Sequence, residues 1–168
     1  MEAAVPLVAG RAAGTLPPEA LARLSGRELL SGILDGTFPP APLPTALGFR
    51  LSEVSDGRAR FEGTPSAGFL NPLGTVHGGW AASILDSALG CAVHSTCAAG
   101  ETYTTLEIKV NLVRTMMPGV GPLVAEGRVR HRGGRTATAE GDLLDPDGRL
   151  VAHASTTCLI MPLPTRGG

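Results

Sequence analysis

Hydrophobic and polar positions change their period twice along this chain. Residues 19–24 and 26–34 carry apolar side chains at helical spacing and read as two short helices. Leu29, Leu30, Ile33 and Leu34 fall on one face of the second. Gly36 and Pro39-Pro40 stop it, and Pro42 and Pro44 are expected to keep the following link extended. From Leu47 the period shortens. Residues 47–54 and 58–63 read as strands joined by Ser55-Asp56-Gly57, a hairpin signal. An irregular stretch over 65–76 contains Asn71-Pro72 and Gly74.

Residues 79–97 form the only long helix the pattern predicts. It is apolar nearly all round, with Trp80, Ala81, Ile84, Leu85, Ala88, Leu89, Ala92 and Val93, so it must be buried. Four strands are expected after it, over 102–115, 123–132, 136–144 and 150–161. The turns between them are Gly119/Gly121, Gly133-Gly134 and Asp145-Pro-Asp-Gly148. In the first of these strands Leu106, Ile108, Val110 and Leu112 alternate with Thr105, Glu107, Lys109 and Asn111, the pattern of a sheet with one buried face. Strict alternation puts Thr104, and not Thr105, on the face of Leu106.

Two strands, one buried helix and a run of antiparallel strands make an α+β domain in which a curved sheet wraps one helix. A doubly wound sheet is excluded, because no helix follows each strand. The chain divides into a leader with short helices (1–45), the sheet-and-helix domain (46–162) and a tail (163–168). The first 18 residues read as a loose leader, and no internal repeat is visible.

Composition narrows the class. With 168 residues the chain fits one domain, and 43% hydrophobic residues allow a full core. Charged residues are only 17% and the net charge is −1, which excludes a strongly basic nucleic-acid binder and suggests that some surface is covered by another subunit. No apolar run reaches the length of a membrane span. No basic residue precedes the apolar N-terminal stretch, which speaks against a secretory signal. Cys91, Cys97 and Cys158 are an odd number in apolar surroundings, read as buried free thiols of a cytoplasmic protein.

The chemistry concentrates in Asn71-Pro-Leu-Gly-Thr-Val-His77-Gly78-Gly79-Trp80, running into the buried helix that carries Asp86. Gly78 and Gly79 open that helix where amide N–H groups lack partners, and glycine lets a ligand oxygen approach them. Such a terminus suits the oxyanion of an acyl carbonyl. Asp86 is an acid in an otherwise apolar helix, so it is either paired or functional. Gly78 and Asp86 are eight residues apart, about 12 Å along the axis at ~1.5 Å per residue. One helix does not bring both to one carbonyl; two antiparallel helices from two subunits do.

The stretch from Leu70 to Gly79, followed by Ile84-Leu85-Asp86, resembles the signature of hot-dog-fold acyl-CoA thioesterases of the phenylacetate-pathway, PaaI-like family. The resemblance continues through residues 104–114, Gly134-Arg135-Thr136 and residues 150–157, and covers roughly 45–161. It implies a hot-dog fold and hydrolysis of an acyl- or aryl-acyl-CoA to the free acid and coenzyme A, with no metal or cofactor beyond the substrate's own coenzyme A. It implies Asp86 as general base or nucleophile, and the Gly78 amide as the group that polarises the thioester carbonyl. Asn71 would help to hold water or the acyl group, His77 would support the thioester end, and Thr105 would orient the water. Coenzyme A is implied near Gly134, Arg135 and Thr136. Arg132 belongs to the basic cluster formed with Arg128, Arg130 and Arg135. Trp80, beside Gly79, and Phe69 are candidates to line the acyl pocket. The family implies a homo-oligomer, a dimer or a dimer of dimers (a homotetramer).

Other readings are weaker. Cys91-x2-His94-x2-Cys97 would not converge on one metal from a single helix. Ser83 and Ser87 flank Asp86, but no Gly-x-Ser-x-Gly elbow exists. The Asp-x-Asn-Pro hallmark of hot-dog hydratases is absent. The alternative of a different class is a non-catalytic acyl-CoA sensor, which would not need Asp86.

Overall fold

The structure, a computed structural model, describes residues 7–8 and 11–163. Residues 1–6 and 9–10 of the expected leader, and all of the expected tail except Leu163, lie outside the described residues. Leu7–Val8 and Arg11–Ala12 pair as a two-residue antiparallel ribbon. Two helices follow, α1 (Pro18–Arg23) and α2 (Gly26–Asp35). A capping box starts α2: Glu28 N–H donates to Ser25 Oγ, and Glu28 Oε2 accepts from Ser25 N–H.

The link after α2 departs from the sequence expectation. Residues Pro42–Leu47 form a helix, α3, rather than an extended segment. Both prolines sit in its first turn, where no backbone N–H has an intrahelical partner, so their missing donors cost nothing and their fixed φ favours the helix. The helix takes Leu47 away from the strand expected to start there. Gly48, at φ 72°, ends it in the left-handed region that glycine adopts freely.

Six strands form one fully antiparallel sheet: β1 (Phe49–Ser55), β2 (Arg58–Gly63), β3 (Glu101–Leu112), β4 (Leu123–Arg132), β5 (Thr136–Leu144) and β6 (Leu150–Pro162). Their order is β1-β2-β4-β5-β6-β3. The long helix α4 (Gly78–His94) lies in the hollow of this sheet, giving the expected hot-dog architecture. It stops earlier than its apolar pattern suggests. Ser95 Oγ donates to Ala92 O and accepts from Gly57 N–H, so the side chain closes the last turn and ties it to the β1–β2 turn. β3 also ends early, at Leu112, because the N–H groups of Val113 and Arg114 both turn onto Val151 O.

Helix α4 is not buried all round. Trp80, Ala81, Ile84, Leu85, Ala88, Leu89, Ala92 and Val93 are buried at i, i+1, i+4, i+5 spacing against the sheet. Ala82, Ser83, Asp86, Ser87, Cys91 and His94, on the other face, are half-buried. Burial on β3 also differs from simple alternation. An irregularity between Thr105 and Glu107 inserts Leu106 as an extra residue. Ile108 and Val110 pack on the core, but Leu106 and Leu112 are 57% and 54% exposed.

The sheet lies tightly against α4 at Gly127, where a Cβ would overlap the carbonyl of Ala88. Gly127→Val should therefore separate helix from strand and lower stability by at least ~2 kcal/mol, the scale of overpacking in a dense core. Urea unfolding followed by circular dichroism checks this; an unchanged midpoint would show that the contact is dispensable.

Candidate active site

Two clusters of polar groups lie at different places along α4. The first is at its start. His77 is the N-cap, and its Nδ1 accepts from Gly79 N–H at 2.9 Å. Trp80 N–H donates to His77 O at 3.0 Å. The fold thus uses two of the helix-opening amides that the sequence reading left unpaired, and Gly79 is withdrawn from the anion site. Gly78 N–H has no acceptor among the described residues. Asn71 is held in the turn just before: its Oδ1 accepts from Leu73 N–H and Thr75 N–H, and its Nδ2 donates to Thr75 Oγ1 at 2.8 Å. Asn71, Thr75, Gly78, Leu112 and Arg114 share one shallow cavity of 280 Å³.

The second cluster is at mid-helix. Thr105 Oγ1 donates to Asp86 Oδ1 at 3.3 Å. Simple alternation would have turned Thr105 away from Leu106's expected inner face. The extra residue at Leu106 shifts the parity instead, so Tyr103 and Thr105 face the helix before it and Ile108 and Val110 after it. Asp86 lines a cavity of 370 Å³ together with Ser87, Cys91 and Tyr103. Ser87 Oγ is committed to Ser83 O at 2.9 Å. Burial, reinforced by the charge of Asp86, pushes the Cys91 thiol up to about 12, and burial raises Cys97 to about 11. Both are protonated near neutral pH, so neither acts as a thiolate nucleophile. Burial also raises Tyr103 well above its ordinary value and lowers His94, whose ring lies 5.4 Å from that of Tyr103.

Trp80 and Phe69 do not line the Asp86 cavity. Trp80 is 3% exposed, packs edge-on to Phe49 and donates its indole N–H to Leu47 O at 2.8 Å. It is a core residue that found a partner for its one polar atom. Phe69 packs against the same core. The basic cluster is largely neutralised as well. Arg128 bridges Asp142 and Glu126, Arg130 meets Glu140, and Arg132 meets Glu101 at 2.9 Å. Arg135 has no carboxylate within ion-pair reach among the described residues and lines a cavity of 450 Å³ with Gly100, Gly134 and Met161. Thr136 opens β5 nearby and is exposed.

The sequence reading did not anticipate the other wall of the Asp86 cavity, which α2, α3 and their link supply. The apolar stripe on α2 was visible, but nothing in its spacing named α4 as the surface it would meet.

Known proteins resemble this chain in sequence and in fold. The family model described as thioesterase superfamily matches residues 73–152. A Saccharolobus solfataricus protein named as an esterase is 31% identical over 108 residues, 64% of this chain and 75% of that protein. A crystal structure from Ralstonia eutropha JMP134, described as a thioesterase and a phenylacetic acid degradation-related protein, superposes with a TM-score of 0.71 at 30% identity. It covers 77% of this chain and 98% of its own. A Streptococcus pneumoniae TIGR4 protein described as a hypothetical thioesterase and solved with coenzyme A shares the fold at a TM-score of 0.63 and 23% identity, covering 70% of this chain and 92% of its own.

The cap gives a test of the local geometry. His77→Ala should free Gly79 N–H and cost about 1 kcal/mol, the usual loss for an N-cap side chain. Thermal unfolding measures it. A loss below a few tenths would mean that the imidazole contributes nothing to the helix start.

Proposed function

The chain belongs to the thioesterase superfamily and is a thioester hydrolase of hot-dog fold, and we propose that its substrate is an acyl- or aryl-acyl-CoA cleaved to the free acid and coenzyme A. The observation that carries this reading is the division of the polar groups. A carboxylate held by Thr105 stands beside an apolar cavity, and a free helix-terminal amide stands about 12 Å away at ~1.5 Å per residue. An antiparallel copy of α4 from a second subunit would bring a Gly78 N–H opposite Asp86.

In that arrangement Asp86 takes a proton from water, and the hydroxide attacks the thioester carbonyl carbon. Thr105 fixes one carboxylate oxygen by its hydrogen bond and leaves the other toward the reacting atoms. The negative charge that develops on the carbonyl oxygen is met by the partner subunit's Gly78 N–H, strengthened by the dipole of α4. Collapse of the tetrahedral species breaks the C–S bond and releases the coenzyme A thiolate. Direct attack by Asp86 on the carbonyl is the other form of the same site. His77 holds the start of α4, and Asn71 shapes the turn that presents Gly78. Arg135, with Gly134 and Thr136, is the remaining cationic group for the nucleotide phosphates. The coenzyme A bound by the Streptococcus pneumoniae protein supports that class of ligand for this fold.

Assembly as a dimer is supported by β3. It is an edge strand, and Leu106, Leu112 and Val113 are each more than half exposed on it or just beyond it. An open edge carrying apolar side chains calls for a partner, and β3 of a second copy would continue the sheet. A dimer of such dimers is the larger assembly that the family resemblance implies. Among the described residues no helix is long and apolar enough to cross a membrane. The three free cysteines support a cytoplasmic setting.

Two variants test both the chemistry and the sharing of the site. Asp86→Ala should lose thiol release from acyl-CoAs by at least ~10²-fold while still binding them, the scale of a general base. Gly78→Pro removes the amide proton at a position whose backbone suits proline, because His77 is already extended at φ −63°, ψ 133°; Gly78→Ala, which brings the same Cβ against Leu112 but keeps the N–H, is its control. The proline variant should be comparably impaired. Mixed dimers of the two variants should regain part of the activity, since one of their two sites has both groups intact. Turnover by Asp86→Ala at the wild-type rate would refute the assignment. Binding without turnover in the wild-type protein would make the chain an acyl-CoA sensor.

A further inference from the structure

The segment from α2 to α3 crosses the open face of α4. At one end Gly26 N–H donates to Cys97 O at 3.0 Å, and a Cβ on Gly26 would overlap the carbonyl of His94, so no other residue fits there without displacement. At the other end Leu47 O accepts the indole N–H of Trp80. Trp80 and His94 stand 14 residues apart on α4, about 21 Å at ~1.5 Å per residue. The segment is therefore pinned beyond both ends of the half-buried strip that carries Asp86. Fully buried Leu29 and nearly buried Leu30 anchor it between those points.

What lies between strap and helix is the 370 Å³ cavity. Leu30, Ile33 and Leu34 of α2, with Pro40, Ala41 and Pro44, form its outer wall, and Phe49, Leu51 and Phe61 of the sheet form another. Its volume is at the small end of ligand sites, which run from ~300 to ~1,000 Å³. That suits an acyl group rather than a whole coenzyme A ester. The polar groups around it offer little to a charge. Arg50 is bridged to Glu62, Ser87 is bonded to Ser83, and Tyr103 and Cys91 are neutral. Asp86 is the one carboxylate on the wall, and it repels another.

We propose that residues 26–47 form one wall of the acyl-binding cavity and set its specificity for uncharged, apolar acyl or aryl-acyl groups of limited length. This rests on the reading of Asp86 as the acting carboxylate. Leu34 is 37% exposed and Ala41 is exposed, so both reach the cavity from its rim and their enlargement does not disturb the core. Leu43, on the same α3, is 56% exposed and does not line the cavity.

The test is thiol release from acetyl-, hexanoyl-, decanoyl-, benzoyl- and succinyl-CoA by the full chain and by Leu34→Trp, Ala41→Phe and Leu43→Trp. The wild-type protein should prefer an apolar acyl group and discriminate against succinyl-CoA. In Leu34→Trp and Ala41→Phe the kcat/KM ratio of decanoyl- to acetyl-CoA should fall by at least ~10-fold, since even one methylene in an apolar pocket is worth that order. Leu43→Trp should keep the wild-type ratio. Ratios unchanged in both rim variants, or shifted equally by Leu43→Trp, would overturn the proposal while leaving the hydrolase intact. If the wild-type protein turned over no thioester, the Asp86 reading would fail. The same ratios taken from acyl-CoA binding affinities would then decide the cavity separately.

Discussion

The whole arrangement depends on how closely one helix lies against one sheet. Ala81, Ala88 and Ala92 on α4 are fully buried and short, and Gly127 of β4 has no side chain to hold the Ala88 carbonyl away. Close approach leaves no room for polar side chains on that face, because nothing there could solvate them. The helix's polar residues are consequently gathered on the opposite strip, where Ser83, Asp86, Ser87 and His94 are half-buried. The place of the acidic residue follows from the packing constraint. An acid there needs a hydrogen-bond donor and a cover: Thr105 supplies the first, and the strap from α2 to α3 supplies the second.

Charge is distributed by the same economy. Read along β4 alone, Arg128, Arg130 and Arg132 form a basic stripe. In the sheet, β5 presents Glu140 and Asp142 beside it, and Glu101 of β3 reaches Arg132. These pairs are mostly exposed, and exposed pairs contribute little stability, about 0–1 kcal/mol each. Their effect is on recognition, since they remove three cations from competition for an anionic ligand. Arg135, in the β4–β5 turn, escapes because the stretch of β6 beside it, where Ile160 N–H donates to Arg135 O, carries Leu159, Ile160 and Met161 and no carboxylate.

The strand order-of-appearance, the buried helix and the turn glycines were legible because each is a local periodicity or a φ requirement. β2, β4 and β5 fall where the pattern put them. The errors have physical causes of another kind. Pro42 and Pro44 were read as extending the chain, but a proline in a first helical turn is compatible with both states and only the tertiary setting chooses. Trp80 stood beside the glycines in sequence, yet its side chain turns to the core, where Leu47 O satisfies it. Asp86, Gly78, His77, Asn71 and Thr105 could be singled out from residue type and position. Their separation into two clusters could be argued from helix rise alone. The strap could not, because its partner surface is some 50 residues further along the chain and no pattern in either segment names the other.

Leu106 shows how a single local irregularity ties the site to the assembly. One extra residue on β3 reverses the inside-outside parity of the strand. On the N-terminal side it turns Thr105 toward Asp86; at the inserted position it leaves an apolar side chain 57% exposed on the sheet's open edge. A regular strand could not do both: with Thr105 inward and strict alternation, Ile108 and Val110 would point outward and the core beneath β3 would be empty. The insertion keeps the core filled, keeps the threonine on the carboxylate and creates an edge that favours a second copy. A second copy is also what the proposed joint action of Asp86 and Gly78 on one carbonyl requires. The same residue that orients one half of the site therefore marks the edge across which the other half would be supplied.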